Sequence, residues 1–278
     1  MGNEISANDI SQYLDTRDDF DLELFAYRTL EASGWEVTHG GSYVDSITRK
    51  IRQFDIRARR TFSHGRNIVL CVECKSFSRE NPLVVSRVDR PFTESHHDIL
   101  MLTPRPQIGD TVPTVAHCKS EGPTLYRPAD RTGKSMTQIS KNAKGEFKTS
   151  DTETYDKWSQ ALASSEPLIN EIAHPQTTLS DPAFHFFMPI LLLSDETLWV
   201  VDYQVDGTRA PPRLEGEAIH FVNREIEISH SRYKGIYHQT HLHIHTRVGF
   251  ERLIQQLGAP DSRLMEKIFG QVLRSAFR

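Results

Sequence analysis

The stretch Gln53–Lys75, QFDIRARRTFSHGRNIVLCVECK, decides the fold that this sequence predicts. Its first part, Gln53–Arg59, alternates between polar and apolar residues, as a strand with one buried face does. Its last part, Asn67–Lys75, is a nearly continuous apolar run with β-branched residues, which is typical of a buried strand. The residues SHGR at 63–66 have the composition of a turn. We therefore expect two strands that pair as a hairpin.

Three charged residues belong to one end of this hairpin. Glu73 and Lys75 are two positions apart, so they share one face of the second strand. If the two strands pair, Asp55 comes to the same end of the sheet. Charged groups at the end of a buried strand are costly unless they are paired or bind a metal. The carboxylates of Asp55 and Glu73 suit a hard cation, and Lys75 could then hold an attacking water. The alternative is an ion pair at the end of the strand.

Length and composition are those of a soluble globular protein with one large domain or two small ones. The chain has 278 residues, of which 37% are hydrophobic and 25% are charged. Its net charge of −4 gives no general attraction to nucleic acid. Basic residues nevertheless cluster at 49–66, and we expect Arg57, Arg59 and Arg60 to contact a phosphate backbone, the alternative being a solvated strand face.

The three cysteines do not make a disulfide framework, which indicates a reducing compartment, and we expect the cytoplasm. Cys71 and Cys74 have CxxC spacing, but on a strand they point to opposite faces and cannot hold zinc together. The sequence shows no run of apolar residues that approaches the length of a membrane span, so we expect no membrane partner.

A helix and a strand are predicted before the hairpin. Residues 21–33 have apolar side chains at helical spacing, and Gly34 is a natural end for this helix. Glu23 borders the apolar face of the helix, either as a surface residue or as a carboxylate that points inward. A first strand begins at Trp35, and the glycine pair at 40–41 is expected to break it.

This order of helix, strand, Asp55 and the pair Glu73-x-Lys75 resembles the PD-(D/E)XK nuclease superfamily, most closely its Mrr-like restriction endonuclease and Holliday-junction-resolvase branches. The resemblance covers roughly a fifth to a quarter of the chain, and Phe54 takes the place of the family's proline. It implies a restriction-endonuclease-like α/β fold that hydrolyses phosphodiesters. By this resemblance Asp55 and Glu73 bind Mg²⁺ or Mn²⁺. Lys75 then positions the attacking water, and Glu23 adds a further acid.

We divide the chain into a nuclease-like core at 1–205 and a C-terminal extension at 206–278 that packs on this core. Short strands are expected at 82–85 and 97–103. Residues 104–150 are rich in Pro, Gly, Lys, Ser and Thr and have weak periodicity. They predict an irregular insertion over or beside the active site.

A helix and a hairpin are predicted after the insertion. Residues 155–172 have helical spacing, and the apolar run Phe184–Leu193 is followed by the turn SDET and by LWVVDY. We expect the helix and this hairpin to complete the sheet of the nuclease-like core. The alternative is a second β unit at 184–245.

The C-terminal part contains a histidine-rich strand and two helices. His241, His243 and His245 share one strand face, where three imidazoles can bind zinc or copper. Neighbours two apart on a straight strand rarely converge on one ion, so a polar sheet face is the favoured interpretation. Helices are expected at 247–257 and 263–277, and the apolar face of the second suits a protein partner or a homodimer.

The sequence therefore predicts a metal-dependent nuclease, with DNA as the favoured substrate, in a defence or repair context. Two alternatives stay open. One is a catalytically idle nuclease scaffold that binds nucleic acid or a partner protein, which metal-dependent cleavage would exclude. The other is a structural subunit of a larger assembly that docks through the histidine face and the C-terminal helix.

Overall fold

The structure, a computed structural model, describes residues 4–17, 19–119, 124–259 and 263–276, without the side chains of 15–17, 150–157 and 275–276. Over these residues there are five α-helices: α1 (Ala7–Arg17), α2 (Asp19–Ala32), α3 (Asp151–Ala173), α4 (Arg247–Gly258) and α5 (Arg263–Ala276). The four helices predicted between residues 21 and 277 are thereby confirmed, except that Phe277 lies outside the described residues.

Thirteen strands, counted over the same residues, join in one mixed sheet. They are β1 (Glu36–Val44), β2 (Ile51–Phe62), β3 (Arg66–Lys75), β4 (Leu83–Asp89), β5 (His96–Arg105), β6 (Asp110–Lys119), β7 (Arg131–Lys141), β8 (Phe147–Ser150), β9 (Ala183–Leu193), β10 (Leu198–Asp202), β11 (Arg213–Leu214), β12 (Glu217–His230) and β13 (Tyr233–Thr246). The order is β1-β2-β3-β9-β13-β12-β7-β4-β10-β11, with β5 beside β9, β6 beside β5 and β8 beside β7. The predicted α/β class is confirmed.

The predicted hairpin at 53–75 is confirmed as β2 and β3. The two strands are antiparallel, with Ile56 opposite Val72. A short 3₁₀ turn joins them, and Gly65 in this turn has a φ of 68°. A Cβ atom on Gly65 would lie only 2.2 Å from the carbonyl oxygen of Pro182, so the turn depends on glycine for two reasons.

Alternate side chains of β3 face different helices. Leu70 and Val72 are buried in the cluster that contains residues of α2, α4 and α5. Val69 belongs instead to a cluster with Ile169 of α3. Because side chains alternate along a strand, Glu73 lies on the same side of the sheet as Val69, the side of α3.

The strand β9 completes this part of the sheet, as we expected. It lies parallel to β3 over the whole range Phe184–Leu193. α3 precedes β9 in the chain and packs against one face of β3 and β9, since Ile169 shares a buried cluster with Val69 and Phe187. The hairpin of β2 and β3 is therefore flanked on both sides, by β1 and by β9.

The hairpin predicted from Phe184–Leu193 and LWVVDY is wrong. β10, which contains LWVVD, pairs in parallel with β4, starting with Leu198 opposite Leu83. Both edges of β9 are already occupied, one by β3 and the other by β5 and β13. An apolar run indicates that a strand is buried, but it does not indicate which strand lies beside it.

The irregular insertion predicted at 104–150 is also wrong. This segment contains β6, β7 and β8, and β7 lies between β4 and β12 in the sheet. The segment 206–278 was expected to pack on the core as an extension, but its strands β12 and β13 lie inside the sheet between β9 and β7. β7 was missed because it buries only Thr132 and Gly133 and so has no apolar pattern.

The apolar face of α5 is used inside the protein. Ile268, Phe269 and Val272 are buried in the same cluster as residues of α2 and α4. The face that we expected to dock a partner is thus covered by the chain's own core. Among the described residues, no helix has the length and apolar content needed to cross a membrane.

Candidate functional site

Asp55 and Glu73 lie at the same end of the neighbouring strands β2 and β3. The paired residues of the two strands end with Ile56 and Val72, and Asp55 and Glu73 are the next residues beyond this pair. Asp55 Oδ2 accepts a hydrogen bond from the backbone N–H of Cys74, at 2.7 Å. The structure therefore brings Asp55 to the backbone of the Glu73-x-Lys75 motif, as the predicted hairpin requires.

A distortion of β1 lies next to Asp55. The expected break of β1 at residues 40–41 is wrong, because β1 runs without interruption over Glu36–Val44. Gly41 pairs with Phe54, so Gly40 lies across from Asp55, and Gly40 has a φ of 67°. This left-handed conformation favours glycine. The glycine lets β1 bend beside the carboxylate instead of ending there.

Glu73 is fully buried, at 0% exposure. Burial, and then the carboxylates of Glu73 and Asp45, raise the pKa of the Tyr43 hydroxyl well above its ordinary value. Arg57 of β2 also points towards α3, because its guanidinium donates a hydrogen bond to the carbonyl oxygen of Ser164, at 2.6 Å. The carboxylate of Glu73 thus lies on the α3 side of the sheet. In such buried surroundings the ionised form is stable only if a cation or a hydrogen-bond donor contacts it.

Lys75 meets an acid from the start of α2. Its Nζ lies 3.5 Å from Oδ2 of Asp19, and Oδ1 of Asp19 accepts a hydrogen bond from the backbone N–H of Ser76, at 2.6 Å. The two side chains are 17% and 24% exposed, so this end of β3 is accessible from solvent. Sequence reasoning missed Asp19, because it precedes the apolar pattern from which the helix was predicted.

Glu23, the helix acid predicted from the family resemblance, contacts β1. Its Oε2 lies 2.8 Å from Nε2 of His39. Among the described residues, Glu23 does not join Asp55 and Glu73 in a group of three donor atoms close enough to hold one ion. Asp19 is an acid of α2 that contacts Lys75, and sequence analysis did not single it out.

The three arginines predicted to bind nucleic acid have different surroundings. Arg57 is turned against α3 by its hydrogen bond to the helix backbone. Arg60 donates to the carbonyl oxygen of Ser33, at 2.9 Å, on the other face of β2. Arg59 lies 3.2 Å from Glu36, and its side chain is 47% exposed. Arg59 is therefore the member of the three that solvent and a phosphate backbone can reach most easily.

The histidine face of β13 is buried, whereas a polar sheet face was the favoured interpretation. Burial lowers the pKa of His241, His243 and His245, for His245 to about 4. Tyr126 stacks on His241 with ring centroids 3.5 Å apart, and its hydroxyl lies 2.8 Å from Nε2 of His243. Within the described part of the chain, the three rings do not form a group that could hold one ion.

Another cluster combines a carboxylate with two histidines. Asp98 of β5, His117 of β6 and His238 of β13 each offer one donor atom, and these atoms lie within 4.8 Å of one another. Burial raises the pKa of Asp98, but hydrogen bonds from both rings and from the His238 amide outweigh it and hold the pKa below its ordinary value. Sequence reasoning missed this cluster, whose only local signal is the run HHD at 96–98.

Comparison of the chain with family models, with curated proteins and with solved structures gives no significant match. The resemblance to the PD-(D/E)XK superfamily therefore rests on the residues of this chain alone.

Proposed function

We propose that the protein is a metal-dependent nuclease whose site is formed by Asp55, Glu73 and Lys75. The observation that carries the proposal is the hydrogen bond of 2.7 Å from the backbone N–H of Cys74 to Asp55 Oδ2, which brings Asp55 to the residue that follows the fully buried Glu73. A buried carboxylate is costly unless it is paired or binds a metal. A divalent cation held by both side chains would meet this need, and carboxylate oxygens are the ligands that Mg²⁺ and Mn²⁺ prefer.

The residues of the chain divide the work of such a site. Asp55 and Glu73 would hold the ion, which supplies a Lewis acid and an activated water for phosphodiester hydrolysis. Asp55 is held for this role by the backbone N–H of Cys74. Lys75, at the accessible end of β3, holds the attacking water or the charge that develops on the phosphate. Asp19 acts as a positioning residue, because it contacts both the ammonium group of Lys75 and the next backbone amide.

Nucleic acid is the proposed substrate class, with DNA favoured. The exposed guanidinium of Arg59 lies on β2, the strand that carries Asp55, where it can contact a phosphate. Contacts to phosphate and metal do not distinguish the bases. The substrates to compare are therefore linear, circular and single-stranded DNA, and RNA.

The test is a cleavage assay with Mg²⁺ or Mn²⁺, with a chelator as the metal-free control. We expect wild-type cleavage to require the ion, and Asp55→Asn or Glu73→Gln to abolish it while thermal unfolding shows that the fold is kept. Glu227→Gln is the matched control, because Glu227 is an exposed strand carboxylate on β12. Full activity of Asp55→Asn would contradict the proposal. Binding of nucleic acid without any cleavage would instead support a catalytically idle scaffold.

A further inference from the structure

The cluster of Asp98, His117 and His238 belongs to β5, β6 and β13, and none of its residues takes part in the proposed nuclease site. We propose that these three side chains bind one divalent transition-metal ion of the Zn²⁺, Co²⁺ or Ni²⁺ class. Two imidazoles and one carboxylate make a donor set that these ions prefer, whereas Mg²⁺ prefers oxygen ligands alone.

The carboxylate of the cluster is already fixed in place. The side chain of Asp98 is 0% exposed. Its Oδ2 accepts a hydrogen bond from the backbone N–H of His238, at 2.7 Å, and its backbone carbonyl accepts one from the hydroxyl of Tyr237, at 3.1 Å. Asp98 and His117 also face each other as a cross-strand pair of β5 and β6. A donor held by strand backbones loses little freedom when an ion binds.

The two rings need a small movement to admit an ion. Nδ1 of His117 lies 2.5 Å from Oδ1 of Asp98, and Nδ1 of His238 lies 2.9 Å from Oδ2. Donors around a tetrahedral zinc ion, each about 2.0–2.2 Å from it, lie roughly 3.4 Å apart. A rotation of the rings can bring the three donor atoms to this spacing, and each neutral ring then carries its proton on Nε2 instead of Nδ1.

The cluster is open on one side. The side chains of His117 and His238 are 37% and 32% exposed, so an ion can enter from solvent and a water can complete its coordination. Three protein ligands and one exchangeable position are typical of zinc sites that carry out chemistry, whereas structural sites are closed by four protein ligands. The ring of His96 lies 4.4 Å from that of His117, centroid to centroid.

An ion at this position would also link strands that are far apart in the sequence. Asp98 and His117 lie on the β5–β6 pair, while His238 lies on β13, in the interior of the sheet. Because the unfolded chain does not hold these residues together, binding should stabilise the folded state. We therefore expect Zn²⁺ to raise the melting temperature of the full chain.

Calorimetric titration of the full chain with Zn²⁺ and with Co²⁺ tests the proposal. We expect one tight equivalent to bind at this cluster in the wild type. His117→Gln/His238→Gln should weaken the binding of this equivalent by more than about a hundredfold, because removal of an outer-sphere partner alone costs about 10–100-fold. The matched control is His174→Gln/His230→Gln. Those two rings lie 5.5 Å apart, and His230 lies 3.7 Å from Asp110, but the three are not a group that could hold one ion.

Three outcomes would overturn the proposal: no Zn²⁺ binding by the wild type, unchanged affinity of His117→Gln/His238→Gln, or an equal loss in the control variant. Imidazole NMR signals of the wild type provide a measurement that does not depend on any variant folding. Zn²⁺ must shift the signals of His117 and His238, and shifts confined to other histidines would reject the site. Asp55→Asn/Glu73→Gln should bind Zn²⁺ as the wild type does, which separates this site from the proposed nuclease site.

Discussion

The two candidate metal sites of this protein are assembled in different ways. Asp55 and Glu73 come from the two strands of one hairpin, so the pairing of neighbouring segments is enough to bring them together. Asp98, His117 and His238 come from β5, β6 and β13, and only the finished sheet unites them. A site within one supersecondary unit can be inferred from local sequence, whereas a site shared by distant strands cannot.

The two sites nevertheless use the same anchor. In each, a carboxylate accepts a hydrogen bond from a backbone amide of another strand, Cys74 for Asp55 and His238 for Asp98. The remaining groups differ, because the first site adds a carboxylate and the second adds two imidazoles. We therefore expect opposite metal preferences, with Mg²⁺ or Mn²⁺ at the first and Zn²⁺ or a similar ion at the second.

The largest expected effect concerns Lys75. Lys75→Ala should lower cleavage by about a hundredfold or more, because removing one preorganised group at developing charge commonly costs this much. Lys75→Arg should fail as well, since a planar guanidinium does not replace a compact ammonium group. Steady-state cleavage rates and nucleic-acid binding are to be measured together, with Lys234→Ala, an exposed lysine on β13, as the control. A fully active Lys75→Arg variant would exclude a close role in the chemistry.

Acid should destabilise the part of the sheet that buries His185, His220 and His245. Burial lowers the pKa of His185, His220 and His245 to about 4. The unfolded chain has ordinary histidine pKa values near 6.5 and so binds more protons between those values. Stability is therefore complete above about pH 6.5 and is lost as the pH falls towards about 4, by about 1.4 kcal/mol per pH unit for each ring.

His185→Phe sharpens this prediction. The variant should reduce the pH dependence of the free energy of unfolding by about 1.4 kcal/mol per pH unit between pH 6 and 5. Phenylalanine suits the position, because His185 is 5% exposed and its ring lies 6.5 Å from that of Phe187. Urea unfolding at several pH values measures the slope, and His64→Asn, in the exposed turn between β2 and β3, is the control. Equal slopes for wild type and His185→Phe would show that this ring is not held neutral.

The smallest expected effect distinguishes Arg59 from Arg57. Arg59→Ala, in the uncleaving Asp55→Asn background, should reduce the salt slope of nucleic-acid binding by about one unit. Arg57→Ala should leave this slope unchanged and should instead lower the free energy of unfolding by about 1–3 kcal/mol, because its hydrogen bond to Ser164 lies inside the protein. Binding titrations at several salt concentrations measure both slopes. A shallower slope for Arg57→Ala alone would reverse this assignment.

The parts of the fold that the sequence predicts are those with a local pattern. Residues 53–59 alternate and 67–75 are apolar throughout, so β2 and β3 were expected in the right places. The strand β7 was missed, because Thr132 and Gly133 are its only buried positions. The partner of β10 was also missed, because an apolar run does not encode its neighbour in the sheet.

The same limit applies to the candidate sites. The hairpin brings Asp55 to the end of the sheet that carries Glu73, as was expected. Asp19 was missed because it lies before the helical pattern, although its side chain contacts Lys75. His117 and His238 were missed because no local pattern links them, and their common partner Asp98 meets His238 only through a contact between segments far apart in the sequence.

Mn²⁺ binding followed by electron paramagnetic resonance tests the proposed site at Asp55 and Glu73 most directly. The wild type is compared with Asp55→Asn/Glu73→Gln and with His117→Gln/His238→Gln, each checked for an unchanged fold by thermal unfolding. We expect Mn²⁺ to bind to the wild type and to His117→Gln/His238→Gln and no longer to bind to Asp55→Asn/Glu73→Gln. Unchanged Mn²⁺ binding by Asp55→Asn/Glu73→Gln would show that these two carboxylates do not hold the ion.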